Sequence, residues 1–250
     1  AAAVLILALG LGATTAIFSL FYQVLLQPLP VPEPHRLVTL GNTWQEGPGP
    51  ASVRTSFGYP MFRDLEAQQA VFTGIAAYNS LDASISHEGG AFNAPAVVVS
   101  GSYFQVLNLQ PAVGRLIGPQ DELRVDESPV VVLSYALWQS RFGGDPDVVG
   151  RTLTVNAQPL TVIGVAPESF AGTELGVRAQ LFAPVTMYWR LQGNFPRDAV
   201  GNRGFSWLFL FARLRSEVSV EQASAGINVP YSGILRDVEA PLRTSTNEIS

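Results

Sequence analysis

Phe205–Asn228 reads FSWLFLFARLRSEVSVEQASAGIN. Phe205, Trp207, Phe209 and Phe211 alternate strictly, and Leu208, Leu210 and Ala212 fill the other face. Period-two alternation marks a strand, and a strand apolar on both faces belongs at the centre of a sheet or between two layers. Ser219 followed by Gln222 forms a capping-box pair, so a helix is expected from Val220 to about Asn228. Pro230 should break or kink that helix, and Ile234–Val238 should resume it.

The same strand-and-helix order occurs near the start. Arg36–Leu40 (RLVTL) reads as a first strand and Gly41–Pro50 as a polar loop rich in Gly and Pro. A helix is expected to begin at Ser56 ahead of Pro60 and run through Met61–Ala70, with Phe62, Leu65 and Ala70 buried and Arg63, Asp64 and Glu66 outside. Val71–Tyr78 reads as the next strand.

Between these two ends the texture is short strands and tight turns. Ala83–Val99 carries hairpin material around Glu88-Gly89-Gly90. Ser102–Leu107 predicts a short helix, and Pro129–Leu133 a covered strand. Ser134 caps a helix over Tyr135–Phe142 that buries Leu137, Trp138 and Phe142 and ends at Gly143. Arg151–Val155 and Leu160–Val165 alternate and are joined by Asn156–Pro159 as a hairpin. Gly172–Asn202 is weakly patterned, with one strand candidate at Gln180–Pro184. Strand–helix–strand, a β-rich middle, then strand–helix implies an α+β domain interrupted by an inserted β-rich subdomain.

The first charged residue is Glu33. Ala1–Leu26 is uncharged and free of proline. As a helix it would be about 39 Å long, against a hydrocarbon core of about 30 Å. A secretory signal has a shorter apolar region ending in small residues, whereas this one ends in Tyr22, Gln23, Leu25 and Leu26. We read residues 1–26 as a transmembrane helix, with an uncleaved signal segment or a buried core helix as alternatives. Pro28, Pro30, Pro32 and Pro34 then force an extended exit. Beginning at Ala1 and stopping at Ser250, the sequence reads as a fragment.

All fifteen basic residues are arginines and there is no cysteine. Without lysine there is no P-loop, Schiff-base or kinase-type lysine, which excludes a conventional nucleotide hydrolase. Without cysteine there is no disulfide, thiolate nucleophile or Cys-bound metal. A net charge of -5 argues against nucleic acid as a partner.

Each residue that could carry chemistry has a plainer reading. His35 lies in the proline-rich exit and His87 beside Glu88, neither with a second ligand at metal spacing, so both are expected on the surface. Ser100-Gly101-Ser102 lacks the spacing of a nucleophile elbow, and its serines are expected to cap the following short helix. Asp121-Glu122 and Asp145/Asp147 could be paired carboxylates of a glycosidase, but turn-like, Pro-flanked stretches predict carboxylates facing water. The aromatic alternation at 205–211 could stack a ligand, though it fits core better. Gly10 and Gly12 suit close approach of another membrane helix, not a dinucleotide. No catalytic, cofactor-binding or metal-binding residue is assigned.

IFSLFYQVLLQPLPVPEPHRLVTL (17–40), VVVSGSYFQVLNLQPAVGRLI (97–117), VVVLSYALWQSRFGGDPDVVGRTLTVNAQPLTVIGVAPESF (130–170) and FARLRSEVSVEQASAGIN (211–228) together resemble successive blocks of one family. That family is the FtsX-like ABC transporter permeases with a MacB-like periplasmic core domain, of the duplicated orphan type. The resemblance implies a split βαβ-type subdomain at 33–97 and 206–250, with the β-rich insertion at 98–205. It also implies an inner-membrane location with the main domain in the periplasm, a separate cytoplasmic ATPase subunit, a permease dimer, a periplasmic partner protein and no catalytic residues. Function is then transmission of ATP-driven conformational change to export or envelope substrates. The rival readings are a membrane-anchored envelope hydrolase and a single-pass adhesion or sensor domain.

Overall fold

A computed structural model describes residues 29–44, 52–87, 90–125, 127–174 and 176–240. The expected anchor at residues 1–26, with Gly10 and Gly12, lies outside them. Among the described residues no helix is long and apolar enough to cross a membrane.

Twelve strands and five helices follow in chain order among the described residues: β1 (Leu37–Leu40), β2 (Asn42–Trp44), β3 (Ser52–Arg54), β4 (Ser56–Phe57), α1 (Tyr59–Gln68), β5 (Phe72–His87), β6 (Gly90–Val99), α2 (Tyr103–Val106), β7 (Val113–Gly114), β8 (Val130–Leu133), α3 (Tyr135–Phe142), β9 (Thr152–Val155), β10 (Gln158–Val165), β11 (Leu181–Pro184), α4 (Tyr188–Leu191), β12 (Leu208–Leu214) and α5 (Val220–Ile234). The fold is mixed α+β.

Ten strands form one sheet in the order β1-β12-β5-β6-β11-β8-β10-β7, with β4 added beside β12. β9 pairs with both β10 and the far end of β5, through Ile85↔Val155 and Ser86↔Thr154. The path β5-β6-β11-β8-β10-β9 therefore returns to β5 and closes a six-stranded barrel, which leaves those strands no open edge. β1 and β5 both run antiparallel to β12, one on each side, and α1 lies in the chain between them. β12 is central, as its two-sided apolarity requires. Leu208, Leu210 and Ala212 enter one buried cluster and Phe211 the other.

Alternation explains these two clusters. Along β6, Ala96 and Val98 face one way and Val97 and Val99 the other; along β11, Leu181 and Ala183 oppose Phe182. The larger cluster fills the barrel and the floor under α1 and α5. The smaller one packs Tyr103 and Phe104 of α2 against Phe170, Phe182 and Phe211.

Several local expectations shift. Ser56 does not open a helix, because it pairs with Phe209 in the sheet; α1 starts after Gly58. Ala70 is exposed, the inward stripe being Met61, Phe62 and Leu65. Asn42–Trp44 is a strand paired with β3, not loop. Val71–Tyr78 and the first arm of the hairpin are one strand of 16 residues. α5 does not break at Pro230. Tyr231 packs on Phe57 and Ile234 is buried, so packing beyond the proline holds the helix, and the distortion emerges as a π turn over Leu235–Glu239. Ser134 accepts from the Leu137 N–H and Gly143 sits at φ 62, as the capping signals require.

Candidate functional site

Among the described residues, polar groups gather beside this sheet at two places that bear on function. The first is where the chain leads into β1. Glu33 sits at φ 47 and a short helical turn, Pro34–Arg36, follows. Arg36 donates from Nε and Nη2 to the Leu214 carbonyl at 3.1 and 2.6 Å and pairs with Glu33 at 2.9 Å. Arg213, buried on β12, donates from Nε to the Val106 carbonyl at 2.6 Å and from Nη1 to the Glu33 carbonyl at 3.2 Å. The lead-in segment is thus tied at once to the end of β12 and to the C-terminus of α2. Burial, with Arg36 beside it, pushes the Arg213 pKa down, and its Nη2 has no hydrogen-bond partner. A groove of about 370 Å³ opens next to this joint, between His35, Leu37, Tyr78, Thr173 and Phe211.

The second place corrects the expectation for Asp121-Glu122, which do not face water; both are buried. Asp121 accepts from Arg115 at 2.6 and 2.8 Å and from the Gly118 N–H at 3.0 Å. Glu122 Oε2 accepts from the Gly101 N–H at 2.5 Å, with Arg63 Nη1 at 3.9 Å and Tyr59 facing the same carboxyl. Burial raises the Glu122 pKa, and desolvation together with the Glu122 charge raises that of Tyr59. The two carboxyls serve different partners, Asp121 the Arg115 side chain and the Gly118 N–H, Glu122 the Gly101 N–H.

The other candidates are structural. Asp145 accepts from the Asp147 N–H at 2.9 Å and pairs with Arg151 at 2.5 Å, while Asp147 is exposed. Ser100 and Ser102 do not cap α2. Ser100 Oγ accepts from the Ala77 N–H at 3.0 Å and Ser102 Oγ donates to the Ile75 carbonyl at 2.7 Å, so both hold the turn against β5. His35 lines the groove, and the His87 ring lies 4.8 Å from Phe142. Trp207 and Phe211 are buried, Phe209 is half-buried and Phe205 is 38% exposed, so the aromatic strip is largely core. Trp207 stacks on Tyr188 at 4.8 Å and meets Phe195 at 4.9 Å. Among the described residues no group of His, Asp or Glu could hold a metal ion.

Sequence reasoning passed over Arg213, although a charge inside LFLFARL was a visible signal. Glu122 had no such signal, since its neighbours read as a solvated turn.

Comparison with known proteins agrees with this geometry. The periplasmic region of MacB from Actinobacillus actinomycetemcomitans superposes with a TM-score of 0.58 at 16% identity, covering 86% of this chain and 94% of that one. The extracellular domain of the noncanonic ABC-type transporter YknZ from Gram-positive bacteria gives 0.57 at 15%, covering 82% and 95%. A domain of a putative permease protein from Porphyromonas gingivalis gives 0.60 at 13%, covering 81% and 83%. At these identities the likeness is one of fold. In sequence, 70 residues are 40% identical to the probable syringafactin export ATP-binding/permease protein SyfD of Pseudomonas syringae pv. tomato. The match takes in 28% of this chain and spans only 10% of that protein's length. The sequence pattern of the MacB-like periplasmic core domain, a domain of transporter permeases and not an enzyme, matches residues 1–228. The chain belongs to the family of MacB-like periplasmic core domains.

Proposed function

We propose that this chain is the extracytoplasmic part of an ABC-type exporter permease in the inner membrane and transmits ATP-driven motion to substrate or partner proteins. The observation that carries the reading is the double-arginine joint. A displacement of the segment before Arg36 must move β12 and α2 together, because Arg36 and Arg213 bond both. From there an unbroken strand ladder reaches the barrel. A separate cytoplasmic ATPase subunit supplies the energy in this reading, and the working unit is a permease dimer in the lipid bilayer with a periplasmic partner. The chain divides into a split subdomain, 33–97 with 206–250, and an insertion, 98–205. This division is supported by the grouping of β1, β4 and β12 on one side of β5 and of β8–β11 on the other. An envelope hydrolase is not favoured, because Ser100 and Ser102 are bonded to the backbone of β5 and Asp121 and Asp145 to arginines.

Purified full-length permease, assayed for nucleotide turnover alone and with its cognate ATPase, tests the reading. Turnover is expected only with the partner and should change when residues 33–240 are deleted. Turnover by the permease alone, surviving mock-purification controls, overturns it. A reporter fused after Gly47 tests the topology: alkaline phosphatase should be active there and green fluorescence weak, and the reverse overturns the periplasmic assignment.

A further inference from the structure

Asp121 and Glu122 are neighbours, similarly buried, and oppositely provided for. Asp121 has a bidentate arginine. Glu122 has none in hydrogen-bond contact: Arg63 Nη1 stands 3.9 Å away and is already bonded to Glu66 at 2.7 Å. Its Oε2 takes the Gly101 N–H, while its Oε1 is buried with no hydrogen-bond partner. The groups facing it are Tyr59, Arg63 and Glu66 from α1 and the backbone of Gly101 from the turn between β6 and α2. That turn lies hard against the loop. A Cβ at Gly101 would stand 2.6 Å from Pro119 Cα, and the Glu122 side chain is only 3% exposed, so the carboxylate meets bulk water when loop and turn separate.

We propose that Glu122 is a proton-operated catch: protonated, it holds the Gly118–Leu123 loop closed on α1 and the Gly101 turn, and ionised, it favours a state in which the loop lifts and the carboxylate reaches water. A bare carboxylate oxygen is the most unfavourable group to leave in this pocket, and a neutral carboxyl is far less so. Burial accordingly holds the Glu122 pKa above its ordinary value of 4.5. The sign follows. The closed state binds the proton more tightly than the open one, so closure is fully favoured below pH 4.5 and lost as pH rises through the raised value. Leu123, next in sequence and 79% exposed, moves with the loop, so the catch controls the placement of an apolar surface residue.

Amide hydrogen exchange on the full chain in nanodiscs, between pH 5 and 8 and corrected for intrinsic exchange, reads the catch at Gly101, whose N–H bonds the Glu122 carboxyl. In the wild type, opening should grow by about tenfold per pH unit across the window where only the open form is ionised. Glu122→Gln should abolish that dependence and keep the protection seen at low pH. Arg63→Gln, on the half-exposed face of α1, removes the nearby cation and should move the window to higher pH. Wild-type protection that does not vary with pH, or the same slope in Glu122→Gln, overturns the proposal. Should Glu122→Gln fail to fold, the wild-type slope and the direction of the Arg63→Gln shift decide it.

Discussion

The same substitution should have very different effects at two buried tryptophans. Trp138 and Trp207 are 8% and 6% exposed. The Trp138 Nε1–H donates to the Asp145 carbonyl at 2.8 Å, whereas Trp207 Nε1 is buried with no hydrogen-bond partner. Replacing either by phenylalanine removes comparable apolar area, so the contrast comes from the N–H. At position 207 the change deletes an orphan donor, whose burial costs about 1–3 kcal/mol. At position 138 it deletes a satisfied donor, with a net contribution of about 0.5–1.5 kcal/mol, and strips a partner from the Asp145 carbonyl. Trp138→Phe should therefore be the more destabilising by about 2 kcal/mol. Alanine at either site should cost about 3–5 kcal/mol through lost burial plus cavity. Urea unfolding followed by far-ultraviolet circular dichroism measures both without relying on indole fluorescence. With a slope of about 2 kcal/mol per molar urea, the phenylalanine variants should differ by about 1 M in midpoint. Equal midpoints, or Trp207→Phe the less stable, would refute the hydrogen-bond argument. An alanine cost under about 1 kcal/mol would refute the burial itself.

Other substitutions probe the joint and the turns. Arg213→Ala should cost about 3 kcal/mol by losing two charge-assisted bonds and should loosen the lead-in segment to limited proteolysis; unchanged thermal stability and cleavage would remove it from the joint. Gly101→Ala should cost about 1–3 kcal/mol because its Cβ would collide with Pro119. Gly143→Ala meets nothing within 4 Å and should lose only about 1 kcal/mol of left-handed backbone strain. Asn156 and Ala157 both have positive φ in the β9–β10 turn, so Ala157→Gly should stabilise by about 0.5 kcal/mol; a lower melting temperature would contradict that.

Elements whose physics is local were legible in the sequence. Ser134 and Gly143 bracket α3 by cap geometry that depends on a few adjacent residues, and the Ser219–Gln222 box did the same for the start of α5. Where a second element decides the outcome, local reading failed. Ser56 has good helix-start chemistry but is claimed by Phe209 across the sheet. Asn79 and Ser80 look like a strand end, yet Asn79 Nδ2 reaches the Trp207 carbonyl at 2.7 Å and Ser80 hydrogen-bonds Glu174, so the strand runs through them. Pro230 obeys the helix-breaking rule in isolation and is overruled by Tyr231 and Ile234 packing on either side of the next turn.

The polar sites follow the same logic with higher stakes. A carboxylate in a Pro-flanked turn faces water unless the fold covers it, and here the donor arrives from Gly101 and the nearby cation, Arg63 at 3.9 Å, from α1, far away in sequence. Arg115 is only six residues from Asp121, so that pair was within reach of local reasoning; Glu122 was not. Burying two adjacent acids and serving only one with an arginine is unfavourable for stability alone, since a hydrophobic residue of Glu122's size would avoid the desolvation. The asymmetry between Asp121 and Glu122 therefore separates a fixed structural acid from a movable one. It also makes Asp121 the internal control, because its bidentate arginine stays in place whether or not its neighbour releases a proton. Exchange at Gly118, whose N–H bonds Asp121 within the same loop and not Glu122, should therefore stay constant across the pH range in which exchange at Gly101 rises.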